Sequence, residues 1–137
     1  MIQNSNIIKL KYKNKIYAYI LKKEIFKNQY NFITNNTDPL QLGFFQMKDG
    51  DKSILHYHKN NKRISFKTSE YLYVISGSIE ISFYSLHNNL LSNHKVKKGG
   101  SVLIFDLAHE IKYKNSTKLL EIKTGPFIQN DKSQIKI

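Results

Sequence analysis

The sequence predicts an all-β fold, in which short strands close into a double-sheet β-barrel or jelly roll. The clearest strand is Ile79–Tyr84, where branched or aromatic side chains alternate with more polar ones. An alternation of period two is typical of a strand with one buried face. Turn residues such as Gly77-Ser78 and His87-Asn88-Asn89 recur at short intervals, and no stretch has the period of a long helix.

The first third of the chain predicts a β-hairpin followed by two strands. Ile7–Leu21 alternates on either side of Lys13-Asn14-Lys15, which indicates a hairpin turn. The polar stretch that follows joins this hairpin to an apolar run, Leu42–Met47, which predicts the first barrel strand. Lys48-Asp49-Gly50-Asp51 is a predicted tight turn, and a strand over Ser53–His58 is expected after it.

The remaining strands follow at short spacing after a basic loop, Lys59–Lys67. Turns are expected at Gly77-Ser78, at Lys97–Gly100 and at Asn115-Ser116-Thr117, because glycine, asparagine and serine favour turn conformations. The predicted strands between these breaks are Glu70–Ser76, Ile79–Tyr84, Ser92–Val96, Ser101–Leu107, Glu110–Tyr113 and Leu119–Thr124.

Three histidines and a glutamate stand where a barrel could gather them around a metal ion. On a strand, His56 and His58 share one face because residues two apart point the same way. Glu70 opens the next strand, and its burial would be costly without a cation or a donor. His109, beyond another strand, is either a further ligand or a residue at the barrel rim. His87 and His94 are interpreted as non-functional, and each candidate ligand has the alternative of an ordinary core or surface role.

Composition limits the possible cofactors and partners. The chain has no cysteine, so any transition metal must be held by imidazole, carboxylate and water. The net charge of +12 comes from lysines spread along the whole chain beside a single arginine, Arg63, which favours a solvated basic surface over a nucleic-acid interface. Such a field would attract a small anionic ligand. No apolar run is long enough for a membrane span, so we expect a cytoplasmic protein with no membrane partner.

These residues resemble the motifs of a small single-domain cupin. The first cupin motif, G-x5-H-x-H followed by E-x6-G, is met by Gly50, His56, His58, Glu70 and Gly77. The second motif, G-x5-P-x-G-x2-H, is matched only by its glycine and histidine. The longer spacer resembles a subgroup with the pattern H-x4-R-x4-T-x-E and an E-x-K-x-G-P ending, here His58, Arg63, Thr68, Glu70 and Glu121–Pro126. The resemblance covers roughly residues 42–127.

The resemblance implies one cupin domain over residues 1–137, with an N-terminal β arm (1–34), a barrel core (42–127) and a loose tail (128–137). It implies one divalent ion, iron, manganese, nickel or zinc, held by His56, His58, Glu70 and His109. A homodimer is expected, because such arms often add strands to a sheet edge, sometimes that of a partner subunit.

The expected ligand is a small anionic or sugar-like metabolite. Glu70 or Glu121 would move a proton in isomerase, epimerase or lyase chemistry, and Arg63 and Lys123 would contact the ligand. Arg63 could equally be a solvated loop residue. Leu120 and Ile122 have the character of core residues, so Glu121 and Lys123 share the opposite face of the strand and could equally be a surface pair. A role in cell-surface polysaccharide biosynthesis follows by analogy only. The alternatives are a non-catalytic binding or sensor module and an iron-dependent dioxygenase.

Overall fold

The computed structural model describes residues 6–28 and 32–133, so the first residues of the predicted arm and the last of the predicted tail lie outside the described part. The described residues form strands and no helix, which confirms the predicted all-β class. The chain divides into two compact units, residues 1–24 with 67–137 and residues Ile25–Phe66. The strands are β1 Ile7–Tyr12, β2 Lys15–Leu21, β3 Lys27–Asn28, β4 Phe45–Gln46, β5 Glu70–Tyr84, β6 Leu90–Lys97, β7 Ser101–Ile104 and β8 Ala108–Lys123.

The first unit begins with the predicted hairpin, which the structure confirms. β1 and β2 pair antiparallel through a two-residue turn, Lys13-Asn14, with φ angles of 47° and 62°. A turn with positive φ at both central residues has a twist that matches the right-handed twist of the strands. Such turns are therefore common in two-residue hairpin connections. β2 then pairs antiparallel with β7 of the same chain, from Ala18 opposite Ile104 to Leu21 opposite Ser101. The hairpin is therefore an integral part of this unit's sheet.

A long antiparallel ribbon of β5 and β8 dominates the first unit. Its register runs from Glu70 opposite Lys123 to Tyr84 opposite Ala108. The predicted breaks at Gly77-Ser78 and at Asn115-Ser116-Thr117 do not end strands, and those two predictions are wrong. Both segments lie at the same point of the ribbon, where its register shifts between Val74 and Ser78. The turn-forming residues bend two continuous strands together.

Left-handed backbone conformations produce this bend. Gly77 has a φ of 75° on β5, and Asn115 and Ser116 have φ angles of 60° and 51° on β8. Bulges of this kind interrupt the ladder, so backbone groups nearby need other partners. The turn between β6 and β7 supplies them, because the Val74 amide donates to the Gly100 carbonyl and the Lys98 amide donates to the Gly77 carbonyl, at 3.0 and 3.2 Å.

The bend lets two halves of the ribbon enclose an apolar core. Beside β8, the first half of β5 pairs with β7 and the second half pairs with β6. The described part of the first unit is thus a curled antiparallel sheet, a half-barrel that is consistent with the predicted barrel class. Its core face carries fully or nearly buried side chains from β1, β2, β5, β6 and β7, and partly buried Ile111 and Leu119 of β8 pack against them: Leu10, Ala18, Ile20, Leu72, Val74, Ile79, Ile81, Phe83, Val96, Val102 and Ile104.

The face assignment of the last strand differs from the expectation. Leu120 and Ile122 have the pattern of core residues, yet they lie opposite Tyr73 and Tyr71 and are 46% and 53% exposed. Glu121 lies opposite buried Leu72 instead, so it shares the core face of the sheet. The alternation of β8 continues unchanged across the bend, from Ile111 opposite Ile81 to Leu119 opposite Val74, so the apolar character of Leu120 and Ile122 is what misleads the assignment.

The second unit is held by short backbone pairings and aromatic contacts. β3 and β4 pair in parallel, and Phe32 and Gly43 form an isolated bridge. The Phe26 and Phe44 rings meet edge to face with centroids 5.7 Å apart. Only Phe45–Gln46 of the predicted strand Leu42–Met47 is a strand, whereas the predicted turn at residues 48–51 is confirmed by a hydrogen bond from the Asp51 amide to the Lys48 carbonyl.

The predicted strand Ser53–His58 is absent. Residues 51–65 have no regular secondary structure, and the side chains of this segment are exposed, Leu55 completely so. A strand needs a neighbour that accepts its backbone hydrogen bonds, and no described strand pairs with this segment.

We predict that Gly77→Ala destabilises the protein more than Gly99→Ala. Both glycines have positive φ, which costs an alanine about 1–2 kcal/mol. A β-carbon at Gly77 would also meet backbone atoms of Lys114, Asn115 and Thr117 at 2.8 Å, whereas one at Gly99 meets nothing within 4 Å. Urea unfolding should show an additional loss of about 1–3 kcal/mol for Gly77→Ala. Equal losses for the two variants would contradict a sterically fixed bend.

Candidate functional site

The bend brings a carboxylate and an imidazole from opposite ends of the ribbon into contact. Glu70 opens β5, and His109 lies near the start of β8, opposite Phe83. In a straight strand, Glu70 and Phe83 would be separated by about 43 Å, at about 3.3 Å per residue. Instead, His109 Nε2 lies 3.1 Å from Glu70 Oε2, and these side chains are 25% and 14% exposed. The contact is a partly buried hydrogen-bonded pair.

The backbone around His109 orients its ring. His109 Nδ1 lies 3.4 Å from the Leu107 carbonyl oxygen, so one ring nitrogen faces a carbonyl and the other faces the carboxylate. Leu107 has a φ of 75°, which is rare for a large side chain and often marks a functional constraint. The Phe83 ring lies against the imidazole with centroids 6.2 Å apart. The sequence predicts His109 but gives no sign of this positive φ.

The two partners shift each other's pKa in opposite directions. The hydrogen bond with His109, helped by the charges of His109, Lys132 and Lys123, lowers the pKa of Glu70 below its ordinary value although burial raises it. The same hydrogen bond raises the pKa of His109 and outweighs its burial. Both shifts favour the charged pair.

Two further predicted site residues lie on the same face of the sheet. Lys123 is directly opposite Glu70, and Glu121 is opposite Leu72, which places it diagonally from Glu70 at about 7–8 Å between neighbouring positions. Both side chains are exposed, so they border the core face where it opens to solvent. The structure therefore brings together Glu70, His109, Glu121 and Lys123 at one end of the first unit.

The other predicted site residues belong to the second unit. His56 and His58 are exposed, and their rings meet edge to face with centroids 5.4 Å apart. His56 Nδ1 lies 2.6 Å from the Ile54 carbonyl oxygen, so this ring nitrogen is hydrogen-bonded to the nearby backbone. Arg63 is exposed in the same irregular segment. These roles stay predictions from the motif.

The donor chemistry of the Glu70–His109 pair fits a divalent ion. Two ligand atoms at about 2.1 Å from one ion and at right angles are separated by about 3.0 Å, close to the 3.1 Å observed. Metal-binding histidines commonly direct their second ring nitrogen at a backbone carbonyl, as His109 does at Leu107. Within either unit, the described residues contain no group of three His, Asp or Glu side chains that could hold a metal. The complete ligand set therefore stays a prediction.

One histidine that the sequence analysis sets aside lies on the core face of the sheet. His94 lies opposite Ile81 on β6, so its ring is on the core face, and its buried Nε2 has no hydrogen-bond partner among the described residues. Burial lowers its pKa, which favours the neutral ring. The alternation with Val96 could have revealed this position, since residues two apart share a face.

Comparisons with known proteins do not identify a family. No protein-family model matches the chain, and neither the curated proteins nor the solved structures include a significant match. None of the described residues forms a helix of the length and apolarity required to cross a membrane. The arrangement of Glu70, His109, Glu121 and Lys123 is thus the main structural basis for a functional assignment.

We predict that the Glu70–His109 pair stabilises chelator-treated, metal-free protein most between pH 4.5 and 6.5, the ordinary pKa values of the two groups. The raised pKa of His109 gives stability that is complete below its unfolded-state pKa and is lost as the pH rises through its folded-state pKa. The lowered pKa of Glu70 gives stability that is present above its unfolded-state pKa and is lost as the pH falls through its folded-state pKa.

His109→Gln should therefore lower the free energy of unfolding by roughly 1–3 kcal/mol at pH 5.5 and by less at pH 8.5. Denaturant unfolding of wild type and variant at both pH values measures this difference, and subtracting the two proteins cancels the contribution of His94. The control is His87→Gln, which changes an exposed turn residue. An equal loss at both pH values would indicate that His109 contributes packing rather than charge.

Proposed function

We propose that this protein is a metal-binding cupin of the cytoplasm that acts on a small anionic or sugar-like metabolite. The observation that supports the proposal most directly is the Glu70–His109 pair, partly buried on the core face with an exposed carboxylate and an exposed ammonium beside it. An enclosed pair of titratable groups that opens to solvent at one end is typical of a small-molecule site.

Glu70 and His109 would contribute one carboxylate and one imidazole ligand, and the sequence motif adds His56 and His58 as the remaining ligands. This nitrogen and oxygen donor set suits iron, manganese, nickel or zinc. A divalent ion bound there would supply Lewis-acid polarisation of a carbonyl or hydroxyl group. The carbonyl of Leu107 would hold the His109 ring in the tautomer that leaves Nε2 free to bind.

The surrounding side chains have separate roles in this proposal. Glu121 carries its carboxylate on the same face as Glu70. Among the described residues this carboxylate has no hydrogen-bond or ion-pair partner, so it can take and return a proton. The Lys123 ammonium lies opposite Glu70 and offers a positive charge to an anionic ligand. The buried Phe83 ring lies beside the His109 imidazole and would shield that side of the pair from water.

An isomerase, epimerase or lyase needs these elements: a polarising group, a carboxylate that moves a proton, and a charge that orients the substrate. Arg63, exposed in the second unit, is the further predicted anion contact.

A binding or sensor module would use the same residues without turnover. An iron-dependent dioxygenase is distinguished by activity that requires both ferrous iron and oxygen. We also propose a role in cell-surface polysaccharide biosynthesis, by analogy with the subgroup that the motif resembles, and a homodimeric state.

Metal content tests the proposed centre. We expect protein purified without an affinity tag to contain about one divalent ion per chain by plasma mass spectrometry. The double variant His56→Ala with His58→Ala should lose at least about nine tenths of it, since even the partners of metal ligands typically change affinity 10- to 100-fold. The variant His87→Ala, which removes an exposed turn histidine, is the matched control. Equal and stoichiometric metal in all three proteins would refute the metal centre.

Turnover separates the enzyme from the binding module. A panel of nucleotide-linked sugars and sugar acids, incubated with metal-loaded protein and followed by NMR, should contain one compound that is converted. Glu121→Gln should then reduce kcat by roughly 10²–10⁴-fold, the usual contribution of a general acid or base, with little change in metal content. Glu110→Gln, on the same strand near its start, is the control. Saturable binding without conversion would instead establish the sensor function.

A further inference from the structure

The chain that follows β8 forms a pocket next to the Glu70–His109 pair. This pocket has a volume of about 350 Å³ and lies between the end of the strand and the residues just beyond it. Its lining combines charged, amide and apolar groups: Lys123, Thr124, Gly125, Pro126, Phe127, Ile128, Asn130, Asp131 and Lys132. A pocket of this size suits a small metabolite rather than a macromolecule.

Hydrogen bonds fix both ends of the segment that encloses the pocket. At the near end, the Thr124 amide donates to the Ser69 carbonyl at 3.0 Å, and the Ser69 amide donates to Thr124 Oγ1 at 3.2 Å. At the far end, Thr68 Oγ1 donates to Asp131 Oδ2 at 3.1 Å. The segment is therefore anchored twice to the residues that immediately precede Glu70. An anchored loop keeps its lining groups in a defined arrangement.

The charges that line the pocket favour an anion. Lys123 and Lys132 contribute two ammonium groups, and Asp131 contributes the one carboxylate, which already accepts the Thr68 hydroxyl. Asn130 adds an amide that can donate hydrogen bonds. The charges of both lysines act on Glu70, which agrees with a position close to that carboxylate. The positive side of the pocket thus adjoins the proposed reaction site.

Apolar groups make up the rest of the wall. Phe127 and Ile128 are 85% and 62% exposed although both are large and apolar. An aromatic ring exposed beside two ammonium groups can pack against the apolar face of a sugar or a similar ring while its anionic group binds the lysines. The cost of leaving these side chains in water would be offset when a ligand covers them.

We propose that this pocket binds the phosphate or carboxylate group of the ligand through Lys123 and Lys132, with Phe127 packed on the ligand's ring. The proposal deepens the proposed function and rests on it for the class of metabolite, because Lys123 belongs both to the pocket and to the register opposite Glu70. The pocket places the anionic end of the ligand, and the Glu70 end of the ribbon faces the reacting group. Lys132 becomes a specificity residue that the motif does not contain.

The test consists of two titrations of the isotope-labelled full chain at constant ionic strength, one with inorganic phosphate and one with glucose 1-phosphate, each followed by NMR. Both are carried out on the protein as purified and again after treatment with a chelator. Saturable shifts should be confined to amides of residues 123–132. Lys132→Ala and Lys123→Ala should each weaken phosphate binding roughly tenfold, the effect of one lost charge-assisted contact.

Two controls make the result specific. Lys118→Ala removes the same charge from β8 outside the pocket, so it should leave phosphate binding within about twofold of the wild type. Phe127→Ala should leave inorganic phosphate binding unchanged and remove any preference for glucose 1-phosphate. Shifts spread over lysines of the whole surface, or an equal effect of Lys118→Ala, would overturn the pocket and indicate only a basic surface.

The outcome also separates this proposal from the metal centre. Phosphate binding that persists in chelator-treated protein and depends on Lys132 supports the pocket whether or not a metal is found. A stoichiometric metal with no saturable phosphate or sugar phosphate binding refutes the pocket and leaves the proposed function intact. Phosphate binding that vanishes on chelation and is insensitive to Lys132→Ala assigns the anion to the metal, which also refutes the pocket.

Discussion

The bend in the β5–β8 ribbon is the constraint on which the first unit depends. Two strands of this length would extend as a nearly straight ribbon, and a two-stranded ribbon alone has too little buried area to be stable. At the bend, Gly77 takes a positive φ on one strand and Asn115 and Ser116 take it on the other. The backbones approach so closely there that no β-carbon fits at Gly77. The turn between β6 and β7 satisfies the backbone groups that the bend releases from the ladder.

Both the core and the candidate site follow from this bend. Folding the ribbon places Leu72 and Val74 of its first half across from Ile79 and Ile81 of its second half, so each half covers the other. The same movement brings Glu70 to His109, which are far apart along the strands. The site is therefore not an addition to a finished core. It lies where the two ends of the bent ribbon meet, and any change that straightens the ribbon would separate its residues.

The sequence predicts the all-β class and singles out Glu70 and His109 as site residues, but it does not predict which strands continue through a turn. Period-two alternation correctly indicates the hairpin and the second half of β5, Ile79–Tyr84, because both are set by local pattern and turn chemistry. The alternation cannot distinguish a turn that ends a strand from one that only bends it. Glycine, asparagine and serine, the residues at Gly77 and Asn115-Ser116, occur in both kinds of turn. The partner strand decides, and pairing between distant segments is invisible in one sequence. The irregular conformation of residues 51–65 was missed for the same reason. His56 and His58 have the spacing of a strand, but no described strand pairs with their segment. The face of Glu121 was misplaced because the apolar side chains of Leu120 and Ile122 indicate burial, whereas the pairing with β5 turns them away from the core.

The position of the Glu70–His109 pair at the end of the core explains how it can remain charged. In the middle of the core face, fully buried Ile81 and Val74 leave no room for a charge, and an isolated carboxylate there would be driven to its neutral form. At the open end, burial is partial, and the hydrogen bond from His109 outweighs desolvation, so the pKa of Glu70 falls instead of rising. Partial burial also leaves the electrostatic interactions stronger than on an exposed surface, because fewer water molecules screen them. Lys123 and Lys132 add positive charge at this same end, so an incoming anion meets an attractive field and oriented charged groups together. The gradient from an apolar centre to a charged end, produced by one bent ribbon, is therefore the structural basis of the chemistry on an anionic ligand that we propose for this end of the sheet.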